Sequence, residues 1–130
     1  MKTILFVCLH GSAKSLIAAE HLNRIAQLRG LELRGESLGL EPDAEVPAAV
    51  IAGLAADGID VREYEPSPLT SERLEVASLV VSCGCDLGSF ASGRTVERWD
   101  DLPLVSDGYE TARDAIVERV ERLVAQATAS

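Results

Sequence analysis

Residues Cys8-Leu9-His10-Gly11-Ser12-Ala13-Lys14-Ser15 bring a sulfur nucleophile, a glycine, a cation and a hydroxyl within eight positions. The apolar, β-branched run Thr3–Val7 precedes them and a helical pattern follows, so they make a strand-to-helix turn. The backbone N–H groups of such a turn, from Leu9, His10, Gly11, Ser12, Ala13 and Lys14, converge on an anion at the helix N-terminus. Gly11 permits a backbone conformation that a side chain resists. Lys14 adds a full positive charge. The helix dipole and Lys14 both favour negative charge on the Cys8 sulfur, and Ser15 is placed to donate a hydrogen bond to it. A thiolate facing a bound oxyanion is arranged for attack at phosphorus or arsenic. Each piece has an ordinary explanation by itself. A strand-ending cysteine is usually a small core residue, a lysine in a first helical turn is usually solvated, and His10 alone is usually a loop residue. Cysteine, five residues, a cation and a serine at one such turn are harder to explain separately.

Two further sulfurs, Cys83 and Cys85, lie in the Gly-, Ser- and Cys-rich stretch 82–93. One intervening residue rarely lets two cysteines close a relaxed disulfide with each other. A bond from Cys8 to either one is open on this reading. With His10 the three cysteines offer N and S donors, but zinc sites ordinarily show two Cys-x-x-Cys pairs, so no metal is assigned. Asp100 and Asp101 supply carboxylates that fit either a general acid or a solvated acidic loop.

The elements that position these groups alternate between strand and helix. A helix is expected over residues 15–29, with Ala18, Leu22, Ile25 and Leu28 at helical spacing and Gly30 as its stop. Residues 31–38 alternate apolar and polar, as an edge strand does. Pro47 opens a helix through Val50, Ile51, Leu54 and Ala55 that stops at Gly58, and Thr70-Ser-Glu-Arg73 starts another. Residues 76–81 are apolar enough for a central strand buried on both faces, and residues 95–99 make a short one. The last helix carries Ile116, Val120, Leu123, Val124 and Ala127 on one stripe. Trp99 is read as core. This alternation implies an α/β domain, a parallel sheet with helices on both faces. Ligands of such sheets bind outside the carboxyl ends of the strands, which puts loops 8–15 and 82–94 at the functional edge.

Composition narrows the partners. The chain has 130 residues, 47% hydrophobic and 25% charged, which suits one globular domain with an ordinary core. Twelve Lys and Arg against 21 Asp and Glu give a net charge of −9. Nucleic-acid and anionic-membrane binding are disfavoured, so any bound anion must be held by a local field. No stretch reaches the ~18–20 apolar residues of a membrane span. Three cysteines without an export signal suggest a reducing, cytoplasmic setting. No nucleotide or flavin motif appears, and no organic cofactor is implied.

The chain resembles the low-molecular-weight protein tyrosine phosphatase superfamily and, within it, the thioredoxin-coupled arsenate reductases. The likeness rests on Cys8–Ser15, on Ser37-Leu-Gly39-Leu-Glu41-Pro42 with Pro47 and Gly58-Ile59-Asp60, and on Val80-Val81-Ser82-Cys83-Gly84. Trp99-Asp100-Asp101-Leu-Pro103 and Ala112–Ile116 extend it over nearly the whole chain. It implies a three-layer α/β/α domain with a four-stranded parallel sheet. It also implies Cys8 as nucleophile, Lys14 and Ser15 as its support, Cys83 as resolving thiol, and Asp101 as acid. Cys85 stands short of the family's third cysteine position, where Ser89 and Ser92 occur. The family's loop arginine is Lys14 here, a point charge instead of a planar fork. Its loop asparagine is Gly11, and its Asp-Pro pair is broken into Asp100-Asp101-Leu102-Pro103. The resemblance points to a cysteine-dependent enzyme reducing arsenate, with thioredoxin or another thiol as reductant. Two alternatives stand beside it: a phosphomonoester hydrolase using phosphate esters, and a weakened anion-binding member of the same fold.

Overall fold

A computed structural model describes residues 1–128. Strand β1 (Lys2–Cys8) leads through the cysteine loop into helix α1 (Lys14–Arg29), followed by β2 (Leu33–Gly39) and α2 (Ala48–Ala56). The short α3 (Ser71–Glu75), β3 (Leu79–Ser82), β4 (Val96–Arg98) and the long α4 (Tyr109–Thr128) complete the chain, with single 3-10 turns at Gly88–Ala91 and Val105–Asp107. The four strands are parallel, in the order β2-β1-β3-β4.

Strand alternation divides the core. Ile4, Phe6 and Cys8 of β1 face a layer built by α1, α2 and α4, where Leu16, Leu22, Val50, Leu54, Ile116 and Val120 are buried. Leu5, Val7 and Val80 face the opposite layer, made by Leu69, Leu74 of α3 and Leu87. The result is three layers, helices on both faces of the sheet, as expected. Trp99 is buried against Phe6 with ring centroids 5.6 Å apart.

Several boundaries differ from the sequence reading. The strand expected from residue 76 begins at Leu79, because Val76 caps the end of α3 and is exposed. The strand at 31–38 is the sheet edge, as expected, but starts at Leu33. Leu28 is exposed, since the buried stripe of α1 ends at Ala26 and the helix overhangs the core. Among the described residues no helix is long and apolar enough to cross a membrane.

One polar cluster ties three helices together. Asp57, at the end of α2, accepts hydrogen bonds from Tyr109 Oη (2.7 Å) and Arg113 Nη1 (2.6 Å) of α4. His21 Nε2 of α1 donates to the same carboxylate at 3.3 Å. Burial pushes His21 below its ordinary value, against the pull of Asp57, so it is a neutral donor. Burial works to raise the Asp57 carboxyl, but the Tyr109 and Arg113 hydrogen bonds outweigh it and hold it down.

Candidate active site

Strand order reverses at β1: one connection runs outward to β2, the next passes back to β3. Such a switch point leaves a crevice at the carboxyl ends of its strands. Cys8 ends β1 there, and Cys83 follows the last residue of β3. Val7 pairs with Ser82 in register, and Cys83 N donates to Val7 O at 2.7 Å. The two cysteines are therefore neighbours across adjacent strands. Both belong to the core cluster on the α1/α4 side of the sheet.

The loop between β1 and α1 is held from below. Gly11 N donates to Cys8 Sγ at 3.2 Å, and Ser15 Oγ lies 2.9 Å from the same sulfur. Ser15 Oγ is 2.7 Å from Ser37 Oγ of β2, which donates to the Gly11 carbonyl at 3.2 Å. These hydroxyls link the Cys8 sulfur to the loop around it, and the side chains of Cys8, Ser15 and Ser37 are all buried. Tyr64 Oη fixes the same stretch of β2 by donating to the Ser37 carbonyl at 2.9 Å. Gly11 has φ +63, and a Cβ there would sit 2.7 Å from Gly39 N. Only glycine fits this crossing of loop and strand end.

The N-terminus of α1 is open. Ala13 at the N-cap offers it no side-chain acceptor, and its first turn has no acidic residue. Its free amides and the dipole thus favour an anion. Lys14 forms no ion pair among the described residues. Its Nζ lies 3.3 Å from where a Cβ on Gly84 would stand, so the ammonium rests against the loop after β3.

A cavity of about 480 Å³ opens above this floor. Cys8, Cys83 and Lys14 line it, with Leu9, Pro47, Val50, Leu104 and Val105 as apolar walls. Cys83 is buried, which pushes its thiol well above the ordinary value; the Cys8 and Cys85 sulfurs add to this and Lys14 opposes it.

Two expected site residues lie elsewhere. Cys85 packs in the cluster on the other face of the sheet, where its thiol donates to the Val7 carbonyl at 3.5 Å. Burial raises its thiol as well. Asp101 does not line the cavity; it is exposed and paired with Arg119 of α4, whose hydrogen bond lowers its carboxyl below the ordinary value. Asp100 is likewise outside, paired with Arg98 at 3.0 Å.

Conversely, the sequence reading placed two loops at this edge, and four line the cavity. The loop after β2 adds Asp43, and the loop before α4 adds Leu104 to Ser106. Asp43 accepts from Ser12 Oγ at 2.8 Å and stands 3.4 Å from His10 Nδ1. In the sequence Asp43 is one of three acidic residues, with Glu41 and Glu45, in the loop that leaves β2 at Gly39, on the same sheet edge as Cys8. Among the described residues no group of three or more His, Cys, Asp and Glu is placed to hold a metal ion.

A parallel sheet with a cysteine loop at its switch point, an uncapped helix N-terminus behind it and a cavity above defines the phosphate-loop cysteine class of α/β domains. A model described as low molecular weight phosphotyrosine protein phosphatase matches residues 3–95, and the chain belongs to that family. Similar solved structures include arsenate reductases and a protein tyrosine phosphatase. An arsenate reductase in a phosphate-binding state is 26% identical over 97% of this chain and 98% of its own, with a TM-score of 0.77. An arsenate reductase from Archaeoglobus fulgidus is 27% identical, over 94% of this chain and 98% of its own, with a TM-score of 0.78. A low molecular weight protein tyrosine phosphatase from Bacillus subtilis is 26% identical, over 95% of each chain, with a TM-score of 0.81.

Proposed function

We propose that this protein reduces arsenate with Cys8 as nucleophile and Cys83 as resolving thiol. The observation that carries the reading is the placement of both sulfurs on one cavity wall, at adjacent strand ends on the same face of the sheet. Neighbouring strands stand about 4.8 Å apart. That falls within the ~4.4–6.8 Å between Cα atoms that a disulfide spans.

The oxyanion rests on the loop amides at the start of α1, with Lys14 beside it. The Cys8 thiolate attacks arsenic, an S–As bond forms, and one As–O bond breaks with its oxygen leaving as water. Arsenic remains pentavalent. Cys83 then attacks Cys8 Sγ. The S–As bond breaks, its electron pair stays on arsenic, and trivalent arsenite leaves with the Cys83 proton. Two thiols have become one disulfide, and arsenic has gained two electrons. Cys85, on the far side of the sheet, takes no part in this step. The disulfide is then reduced by thioredoxin or another external thiol acting as two-electron donor.

Anaerobic incubation of the reduced protein with arsenate, with phosphate as control, tests this by peptide mapping. A Cys8–Cys83 bond formed only with arsenate is expected, and Cys8→Ser abolishes it. Three free thiols under both conditions would overturn the reading.

A second reading has its own support. The apolar walls formed by Leu9, Pro47, Leu104 and Val105 suit the organic part of a phosphate ester. A phosphomonoester hydrolase needs Cys8 but neither Cys83 nor Cys85. The Cys83→Ser/Cys85→Ser double variant separates the two: hydrolysis survives, reduction does not.

A further inference from the structure

We propose that His10, oriented by Asp43, is the proton donor to the oxygen that departs when Cys8 attacks, a role resting on the oxyanion chemistry above. Attack by a thiolate expels an oxygen that must take up a proton. The aspartates expected to give it are turned away: Asp101 is held by Arg119 and Asp100 by Arg98, both outside the cavity. The titratable groups that do line the cavity are Cys8, His10, Lys14, Asp43 and Cys83. Cys8 and Cys83 are the reacting sulfurs, and Lys14 is the cation of the cradle. His10 and Asp43 remain.

Their geometry is that of an imidazole with one nitrogen fixed. His10 Nδ1 lies 3.1 Å from the Glu41 carbonyl and 3.4 Å from Asp43 Oδ1. Both neighbours are acceptors, so Nδ1 carries a proton and donates it. Nε2 has no partner among the described residues and is the nitrogen left to exchange protons. Asp43 is itself fixed: Ser12 Oγ donates to its Oδ2 at 2.8 Å, and its backbone N donates to the His10 carbonyl at 3.1 Å. With Nδ1–H held by these two acceptors, the ring is oriented and takes up and gives its proton through Nε2. The imidazole is 54% exposed, so solvent recharges it between turnovers.

The step balances. Cys8 thiolate, hydrogen arsenate and His10 imidazolium give the Cys8–arsenate adduct, water and neutral imidazole. The S–As bond forms as the As–O bond breaks, and the departing hydroxide takes the Nε2 proton. With a phosphate ester the same proton goes to the leaving alkoxide or phenoxide. Asp43 is then a positioning residue that acts through His10.

The test compares wild type, His10→Ala and Asp43→Asn in single turnover with arsenate, following thiol loss from pH 5 to 9. His10→Ala is expected to be slowed about 10²-fold or more and to lose the fall in rate at high pH. Free imidazole in the buffer restores part of that rate, which a merely structural loss would not allow. Asp43→Asn, which keeps the size of the side chain but not its charge, is expected to slow the step less than His10→Ala and to keep the fall in rate at high pH. Should wild type form the Cys8–Cys83 bond while His10→Ala keeps its rate and pH profile, the inference fails and the function stands. Should wild type form no disulfide, the redox reading fails, and the same variants are compared on phenyl phosphate and 4-nitrophenyl phosphate. Proton donation predicts a large His10→Ala loss on phenyl phosphate, the poorer leaving group, and a small one on 4-nitrophenyl phosphate. Equal losses on the two esters, or no wild-type reaction with either ester, overturn it.

Discussion

Replacing Gly11 by alanine separates two costs that the structure places at one residue. The first is conformational: at φ +63 a side chain pays about 1–2 kcal/mol for a left-handed backbone. The second is steric. The new Cβ would stand 2.7 Å from Gly39 N and 3.0 Å from both Gly39 Cα and Leu38 C. All three neighbours are backbone, so no rotamer change relieves them, and overpacking of this kind costs about 1–3 kcal/mol. Gly30 supplies the control. Its φ is +65, nearly the same, but a Cβ there meets nothing within 4 Å. Gly30→Ala is expected to lose only the conformational part, about 1–2 kcal/mol, or about 4–8 °C in Tm at roughly 4 °C per kcal/mol. Gly11→Ala adds the steric part and is expected to fall about 4–12 °C further. It also moves the N–H that donates to Cys8 Sγ, so iodoacetamide reaction at Cys8 changes in Gly11→Ala and not in Gly30→Ala. Thermal melts of both variants by circular dichroism provide the comparison. Equal melting temperatures, with Cys8 reactivity unchanged, would refute the close-crossing argument.

Other expected outcomes follow from single contacts. Ser37→Ala leaves the Gly11 carbonyl without its side-chain donor in a buried site and removes one of the two contacts of Ser15 Oγ, and should cost about 1–3 kcal/mol in urea denaturation while altering Cys8 alkylation. Asp101→Asn breaks only an exposed pair with Arg119, so Cys8-dependent turnover should stay far from the ~10²-fold loss that removal of a general acid brings. Lys14→Arg replaces a point charge with a fork, and one added charge-assisted hydrogen bond of about 1.4 kcal/mol would tighten phosphate about tenfold by calorimetry. His21 is neutral in the fold because burial lowers its pKa, so below its ordinary value of about 6.5 the unfolded chain binds the extra proton. Stability therefore rises with pH up to about 6.5 and is lost as pH falls through that value; His21→Gln should flatten this slope between pH 5 and 7.

Local sequence carried the parts of the site that depend on a single turn. Cys8, Gly11, Lys14 and Ser15 are contiguous, and a strand-to-helix loop needs nothing distant to bring them together. The side of the sheet on which a cysteine falls is a different matter. Cys83 and Cys85 are two residues apart and look equivalent in sequence, yet Cys83 joins Cys8 in the α1/α4-side cluster and Cys85 joins the opposite one. Pairing of Val7 with Ser82 fixes Cys83 beside Cys8, and register between strands some 75 residues apart leaves no local mark. The carboxylates show the same limit. Only the family resemblance points to Asp101 as an acid; the charge on α4 that pairs with it outside the cavity, Arg119, lies 18 residues further along the chain. Asp43 carries no local mark of its place, since no pattern distinguishes a loop aspartate that reaches a histidine across the sheet edge. The β-branched type of Val76 favours a strand, but the preceding short helix uses it as its C-cap.

The position of β1 in the sheet has a consequence during synthesis. Its neighbour on one side, β2, follows after a single helix, so this parallel pair can assemble early. Its neighbour on the other side, β3, ends at Ser82, and the 43 residues from 40 to 82 must first be translated. At about 5–20 residues per second this takes about 2–9 s. Through that interval the apolar strand Ile4–Val7 presents an unpaired edge, the kind of surface that recruits other strands. A pause in translation between residues 40 and 82 would lengthen the time for which that edge stands open.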